Sequence, residues 1–224
     1  MKQIVIFGTG KIAEVILFFF RQHSDFEVVA CTVDREYLPG TSWNGIPALP
    51  FDEVQTYYSP DKYSMFVCLG YHEMNALRAR KVAEAKIKGY SLVSYVHPQS
   101  GVPDDFVHGE NCFIMNNVMV HPFVRLGDNV FVWSGAMIGH HSVIGDHCWI
   151  TSCANISGLV NIGRQCFLAV NATIGHGITI GNECFIGANA LVTKCTEDNQ
   201  VFIAESSKAY RLNSRAFLKM SNFT

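Results

Sequence analysis

The chain has 224 residues, with 17 basic against 19 acidic side chains and 49% hydrophobic residues. That length suffices for one large domain or two small ones. The near-neutral balance, with no basic stripe or charge run, points away from nucleic acid. The longest apolar run, residues 15–20, falls well short of the roughly 20 residues of a membrane span. Met1-Lys2-Gln3-Ile4 enters a strand-like segment without a separate signal-peptide pattern. A cytoplasmic protein is expected, with its eight cysteines as free thiols.

The first part of the chain alternates strand and helix. Residues 2–7 read as a buried strand, Gly8-Thr9-Gly10-Lys11 as a tight turn, residues 12–23 as a helix, and residues 26–33 as a second strand ending at Asp34. A third strand is expected over 64–69, a helix over 72–88 and a fourth strand over 91–95. The pattern predicts a small parallel, Rossmann-like α/β unit over residues 1–98. Gly8-x-Gly10, with Ala13 at the third position and Asp34 where a ribose-binding acid belongs, is part of a dinucleotide fingerprint. Three readings stay open: a structural turn, a nicotinamide cofactor, or another nucleotide whose phosphate sits on the helix N-terminus.

From residue 112 onwards a six-residue period dominates. Every sixth residue from Ile114 to Val192 is aliphatic, and two places earlier runs a series of small or aliphatic residues from Cys112 to Ala190. Glycine follows the aliphatic position at Gly127, Gly139, Gly145, Gly163, Gly175, Gly181 and Gly187. This period fits neither a 3.6-residue helix nor a hairpin meander. It fits a three-faced parallel β-helix over residues 99–205, with 18 residues per coil and glycine where the backbone bends. Cys112, Cys148, Cys166 and Cys184 then fall in one inward column as small hydrophobes. Cys31, Cys68, Cys153 and Cys195 share no CxxC spacing, so no metal is expected. The tail, residues 206–224, is expected to add a short helix capping the open end of the core.

The two halves together resemble the sialic-acid O-acetyltransferase family, which includes bacillosamine-type and perosamine N-acetyltransferases. The resemblance covers nearly the whole chain. It implies a left-handed β-helix, a homotrimer with active sites between subunits, and acetyl-CoA as co-substrate. It implies that the N-terminal unit holds the nucleotide of a sugar substrate, with Gly8, Gly10, Lys11 and Asp34 as contacts. It aligns the catalytic histidine with His140 in Gly139-His140-His141 and places CoA backbone contacts at Gly158, Val170 and Ala188. From the residues alone, His140 follows a turn glycine on an outward rim, and a neutral imidazole suits a general base near pH 7.

Three departures from the family stand out. Gly10-Lys11-Ile12-Ala13 replaces a Gly-His-Gly stretch, and His141 stands where an acid usually orients the base, which leaves Asp146 or Asp128 as alternative orienters. Trp133 replaces an asparagine near the sugar; it either stacks on the sugar or meets a neighbouring subunit. His141 and Trp133 are accordingly grouped with the substrate contacts. The expected activity is direct acetyl transfer to a nucleotide-linked amino sugar. Alternatives are a sugar O-acetyltransferase, a non-catalytic scaffold on the same coils, and a carbonic anhydrase-like metal enzyme. The last needs a third ligand where Gly181 stands, and it pairs His140 with His176 two coils away, about 10 Å in one subunit.

Overall fold

A computed structural model describes residues 2–221. The aliphatic series of the repeat closes a set of two-residue strands. Strands 18 residues apart pair in parallel, Phe131 with Trp149 and Val132 with Ile150, and Met137 with Asn155. The coils form the expected left-handed parallel β-helix with seven strands on a first face, five on a second and four on a third. Ile114, Val132, Ile150, Leu168 and Ile186 are fully buried, as are Cys112, Cys148, Cys166 and Cys184. Each such aliphatic side chain contributes about 1.5–3 kcal/mol by leaving water.

The turns differ from the sequence reading in one respect. Every sixth residue from Asn111 to Asn189 adopts positive φ, and that position holds glycine only at Gly135 and Gly177; elsewhere it is often Asn, as at Asn117, Asn129 and Asn171. The recurring glycines lie two places earlier and have a different reason. A Cβ on Gly139 would stand 2.5 Å from the backbone nitrogen of Gly158, and one on Gly163 2.7 Å from that of Asn182. Glycine there admits the coil above; the left-handed bend is carried by residues, led by Asn, that tolerate it.

The N-terminal unit consists of β1 (Lys2–Phe7), α1 (Lys11–His23), β2 (Phe26–Val33), β3 (Ser42–Trp43), β4 (Ile46–Pro50), α2 (Val54–Tyr57), β5 (Ser64–Val67) and α3 (Ala76–Ile87). Its sheet has the order β3-β4-β2-β1-β5, all parallel except the β3–β4 hairpin. That hairpin and α2 are additions to the expected elements. Asn44-Gly45, with φ of 46° and 79°, makes the two-residue turn that this dipeptide favours. The helix expected from residue 72 begins at Ala76, because Glu73, Met74 and Asn75 all have positive φ. The fourth strand is a correction. Leu92 makes only an isolated bridge to Met65, and Tyr95–Val96 pairs with Phe113–Ile114 on the first face of the coils.

The outward residues of the first face, Tyr95, Phe113, Phe131, Trp149 and Phe167, are buried beneath this unit. Successive rings of the first four lie 5.1–5.8 Å apart, and Phe66 of β5 stacks on Phe131. Outward residues of the other faces are open, as at Met119, Val143 and Leu191. Arg78 of α3 bolts the two units together. It is fully buried and donates to Asn129 Oδ1, Asn75 Oδ1 and the carbonyls of Gly70, Asn129, His147 and Cys148. Its guanidinium lies 4.5 Å from the centroid of Phe131. Its partners are neutral, and burial pulls its pKa down to about 9.

At the far end, Val201–Phe202 pairs with Phe185–Ile186, and Phe202 and Ala204 pack against the core. The tail helix exists as α4 (Ser214–Met220), capped by Asn213, but none of its residues is buried. It therefore does not close the core within one chain; residues 222–224 of the expected tail lie outside the described residues.

Two stability tests follow. Arg78→Ala strands buried acceptors that water cannot reach, and a loss of about 3 kcal/mol or more is expected by denaturant unfolding. Burial holds the imidazoles of His97, aided by the nearby His23, and of His147 below their ordinary value. The unfolded chain thus takes up protons that the folded one refuses. Stability should fall as pH drops through the ordinary imidazole range, about 6.5, read as a lower melting temperature.

Candidate active site

The turn between the second and third faces is uncovered by the N-terminal unit. Gly139 ends the second-face strand and starts this turn, and the stacking of coils places Pro122, His140, Gly158, His176 and Lys194 at equivalent points in successive turns. His140 is exposed. Its ring lies over Gly158, where a Cβ would stand 2.7 Å from Nε2. The bare Gly158 also lets His140 approach His176, with ring centroids 6.2 Å apart. The two imidazoles are thus nearer than the two-coil separation suggested. Among the described residues no three metal-binding side chains converge.

His140 Nδ1 lies 3.1 Å from His141 Nδ1. His141 has a φ of 59°, and its ring packs on Phe123 with centroids 4.5 Å apart. It lines an open hollow of about 480 Å³ on the third face, with Asp105, His121, Phe123 and Arg125. The two acids considered as orienters are engaged elsewhere. Asp146 Oδ1 accepts from the backbone N–H of Asp128, and Asp128 Oδ1 from that of Glu110, at the turn between the third and first faces. There the side chain of one coil satisfies the turn N–H of the coil below. At the His140 turn the same position one coil up is Gly158, which has no side chain, and the N–H groups of His140 and Gly158 have no acceptor among the described residues.

Trp133, Val170 and Ala188 lie at the turn between the first and second faces, away from His140 within the chain. Trp133 packs against Trp149, and its buried indole N–H has no partner among the described residues. Of the three expected CoA contacts, only Gly158 adjoins His140.

The second concavity lies in the N-terminal unit, a cleft of about 790 Å³ at the C-terminal edge of β1 and β2. Gly10 and Asp34 line it, with Thr9, Tyr37, His72 and Arg80. Gly10 is the N-cap of α1 and no side chain caps that helix, so its first N–H groups are available to an anion. Gly8 is buried beneath, with a φ of 128° and no room for a Cβ beside the Cys68 carbonyl at 3.0 Å. Lys11 points away into solvent and pairs with Glu14. The cations of the cleft are instead Arg80 and Lys81, the latter bonding Asp34 and Glu84 at 2.8 Å each. Burial pulls the Lys81 ammonium down, but these two carboxylates outweigh it and leave its pKa above the ordinary value. Lys81, Arg80 and His72 escaped sequence reading, since the helix was legible but not which of its faces overhangs the sheet edge.

Three comparisons bear on this arrangement. The bacterial transferase hexapeptide family (six repeats) matches residues 107–140, 123–158 and 159–194. The acetyltransferase domain of PglB from Neisseria gonorrhoeae FA1090, solved with acetyl coenzyme A, shares the fold at a TM-score of 0.79 and 21% identity, over 89% of this chain and 95% of that one. PerB from Caulobacter crescentus, solved with CoA and GDP-perosamine, is 25% identical at a TM-score of 0.77, over 90% and 93% of the two chains. No curated protein matches the sequence. The family match spans residues 107–194, the coils that carry His140.

Proposed function

We propose that this chain transfers the acetyl group of acetyl-CoA to the amine of a nucleotide-linked sugar, with His140 as general base. The observation that carries the reading is the exposed His140 imidazole, laid over a glycine beside two backbone N–H groups that have no acceptor among the described residues. It is supported by likeness to the PerB structure, which holds CoA and GDP-perosamine. The proposed course is direct. The amine attacks the thioester carbonyl, and its proton passes to His140 Nε2 as the N–C bond forms. The N–H of Gly158 or His140 stabilises the oxyanion. The C–S bond then breaks, and the thiolate recovers the proton.

The nucleotide end would occupy the Gly10–Asp34 cleft, with phosphate on the N-terminus of α1 and against Arg80 and Lys81. That cleft belongs to the unit covering the first face, whereas His140 stands at the opposite corner of the triangle. One chain cannot bring the two together. A homotrimer in which His140 serves a neighbour's cleft resolves this, and it brings the Trp133 turn of one copy near the His140 turn of another. A cytoplasmic location suits a nucleotide-linked substrate.

His140→Ala should lower kcat by about 10²- to 10⁴-fold in a folded trimer checked by light scattering; near-normal turnover overturns the assignment. Gly158→Ala leaves the coil its backbone conformation but pushes Nε2 of His140 aside. A kcat loss on the order of 10²-fold is expected, with an unchanged melting curve. Thermal shifts with CoA and with UDP-, GDP- and dTDP-linked amino sugars should identify the nucleotide.

A further inference from the structure

The nitrogens facing each other across 3.1 Å are both Nδ1 atoms, so one ring donates and the other accepts. A base acting through Nε2 must have that nitrogen bare, which places the hydrogen of neutral His140 on Nδ1. The acceptor is then Nδ1 of His141. The groups around the pair are His176 over Gly158, Lys194 one coil beyond it, and Asp105, His121 and Arg125 in the hollow beside His141. None of them hydrogen-bonds to either ring, so among the described residues no carboxylate competes for the Nδ1–H of His140. The left-handed backbone at residue 141 and the packing on Phe123 hold the second ring in place.

We propose that His141 is a positioning residue for His140, a neutral imidazole doing the work of an orienting acid, an inference that rests on the reading of His140 as the base. Its Nδ1 lone pair selects the tautomer with a bare Nε2. When the acceptor's N–H bond breaks and the proton arrives on His140 Nε2, the Nδ1–H···Nδ1 bond spreads the positive charge over two rings. The departing thiolate then takes that proton from Nε2, and the pair returns to neutrality. The pair passes from neutral to singly positive in the reaction, and a proton bound beforehand by either ring stops it.

The test uses the full-length protein and its residue-141 variants. Asn is common at the corresponding turn positions, and Leu159 occupies that position one coil above, so His141→Asn and His141→Leu keep the backbone. Long-range ¹⁵N–¹H spectroscopy of the imidazoles, with no substrate present, should show His140 with hydrogen on Nδ1 in the wild type. His141→Asn retains an acceptor and should preserve that tautomer. His141→Leu should shift His140 towards hydrogen on Nε2. Finding Nε2–H in the wild type, or no change in His141→Leu, overturns the proposal. In turnover with acetyl-CoA and GDP-perosamine, or whichever amino sugar of the thermal-shift panel is acetylated, His141→Leu should lose about 10²-fold in kcat with KM nearly unchanged. His141→Asn should stay within about tenfold of wild type. His141→Glu should move the acid limb to higher pH by about one unit or more. Full activity of His141→Leu with an inactive His140→Ala sinks this inference alone; full activity of both sinks the catalytic reading as well.

Discussion

Backbone stacked on backbone at one strand spacing governs this molecule. Each coil must bury its aliphatic residues on the coil beneath, because a two-residue strand has nothing else to cover it. At the corners the same closeness leaves room for a side chain at some turn positions and none at others. A Cβ at Gly127, Gly139, Gly145 or Gly163 would run into the next coil, whereas the positive-φ positions face outward and accept Asn, His, Leu or Phe. The catalytic chemistry proposed for His140 is a use of this geometry. Gly158 is small because the imidazole of the coil below occupies its side-chain space, and among the described residues the N–H of His140 is unclaimed because Gly158 sends no side chain down to it.

The second constraint is the seating of the N-terminal unit. Its sheet and helices bury an aromatic ladder on one face of the triangle, and Arg78 ties α3 to carbonyls at the adjoining corner. A guanidinium with six neutral acceptors and two aromatic faces has a defined place only if both units stay in register. Asn75 adds a bond to the Cys166 carbonyl and holds the left-handed turn that carries His72 and Glu73 at the cleft rim. The rigidity of the cleft relative to the coils therefore comes from buried polar groups as much as from apolar area. It also sets cleft and imidazole on opposite sides of one chain, which makes assembly part of the proposed chemistry.

Much of this was legible. The aliphatic period of six gave the coils and their inward columns, and alternating strand and helix gave the parallel sheet. Two signals were present but unread. The aromatic series Tyr95, Phe113, Phe131, Trp149, Phe167 and Phe185 recurs at the coil length; it marks the covered face and places Tyr95 in the coils rather than in a fourth strand of the sheet. Asn44-Gly45 announced the hairpin. The delayed start of α3 had no comparable signal, because three consecutive left-handed residues persist only through the tertiary bonds of Asn75.

At the candidate site the division is similar. Sequence alone determined that His140 would be on an outward turn and that His141 would follow it, since a fixed period dictates which residues face in and which face out. Only the folded chain decided that these two rings meet through their Nδ1 atoms, that Asp128 and Asp146 serve a different corner, and that Lys11 leaves the cleft while Lys81 enters it. The reason is range. Period and propensity act within a coil or a helix turn, whereas the Asp146–Asp128 and Lys81–Asp34 bonds join residues 18 and 47 apart, and the adjacent rings of His140 and His141 are set by Gly158 and Phe123 in the neighbouring coils.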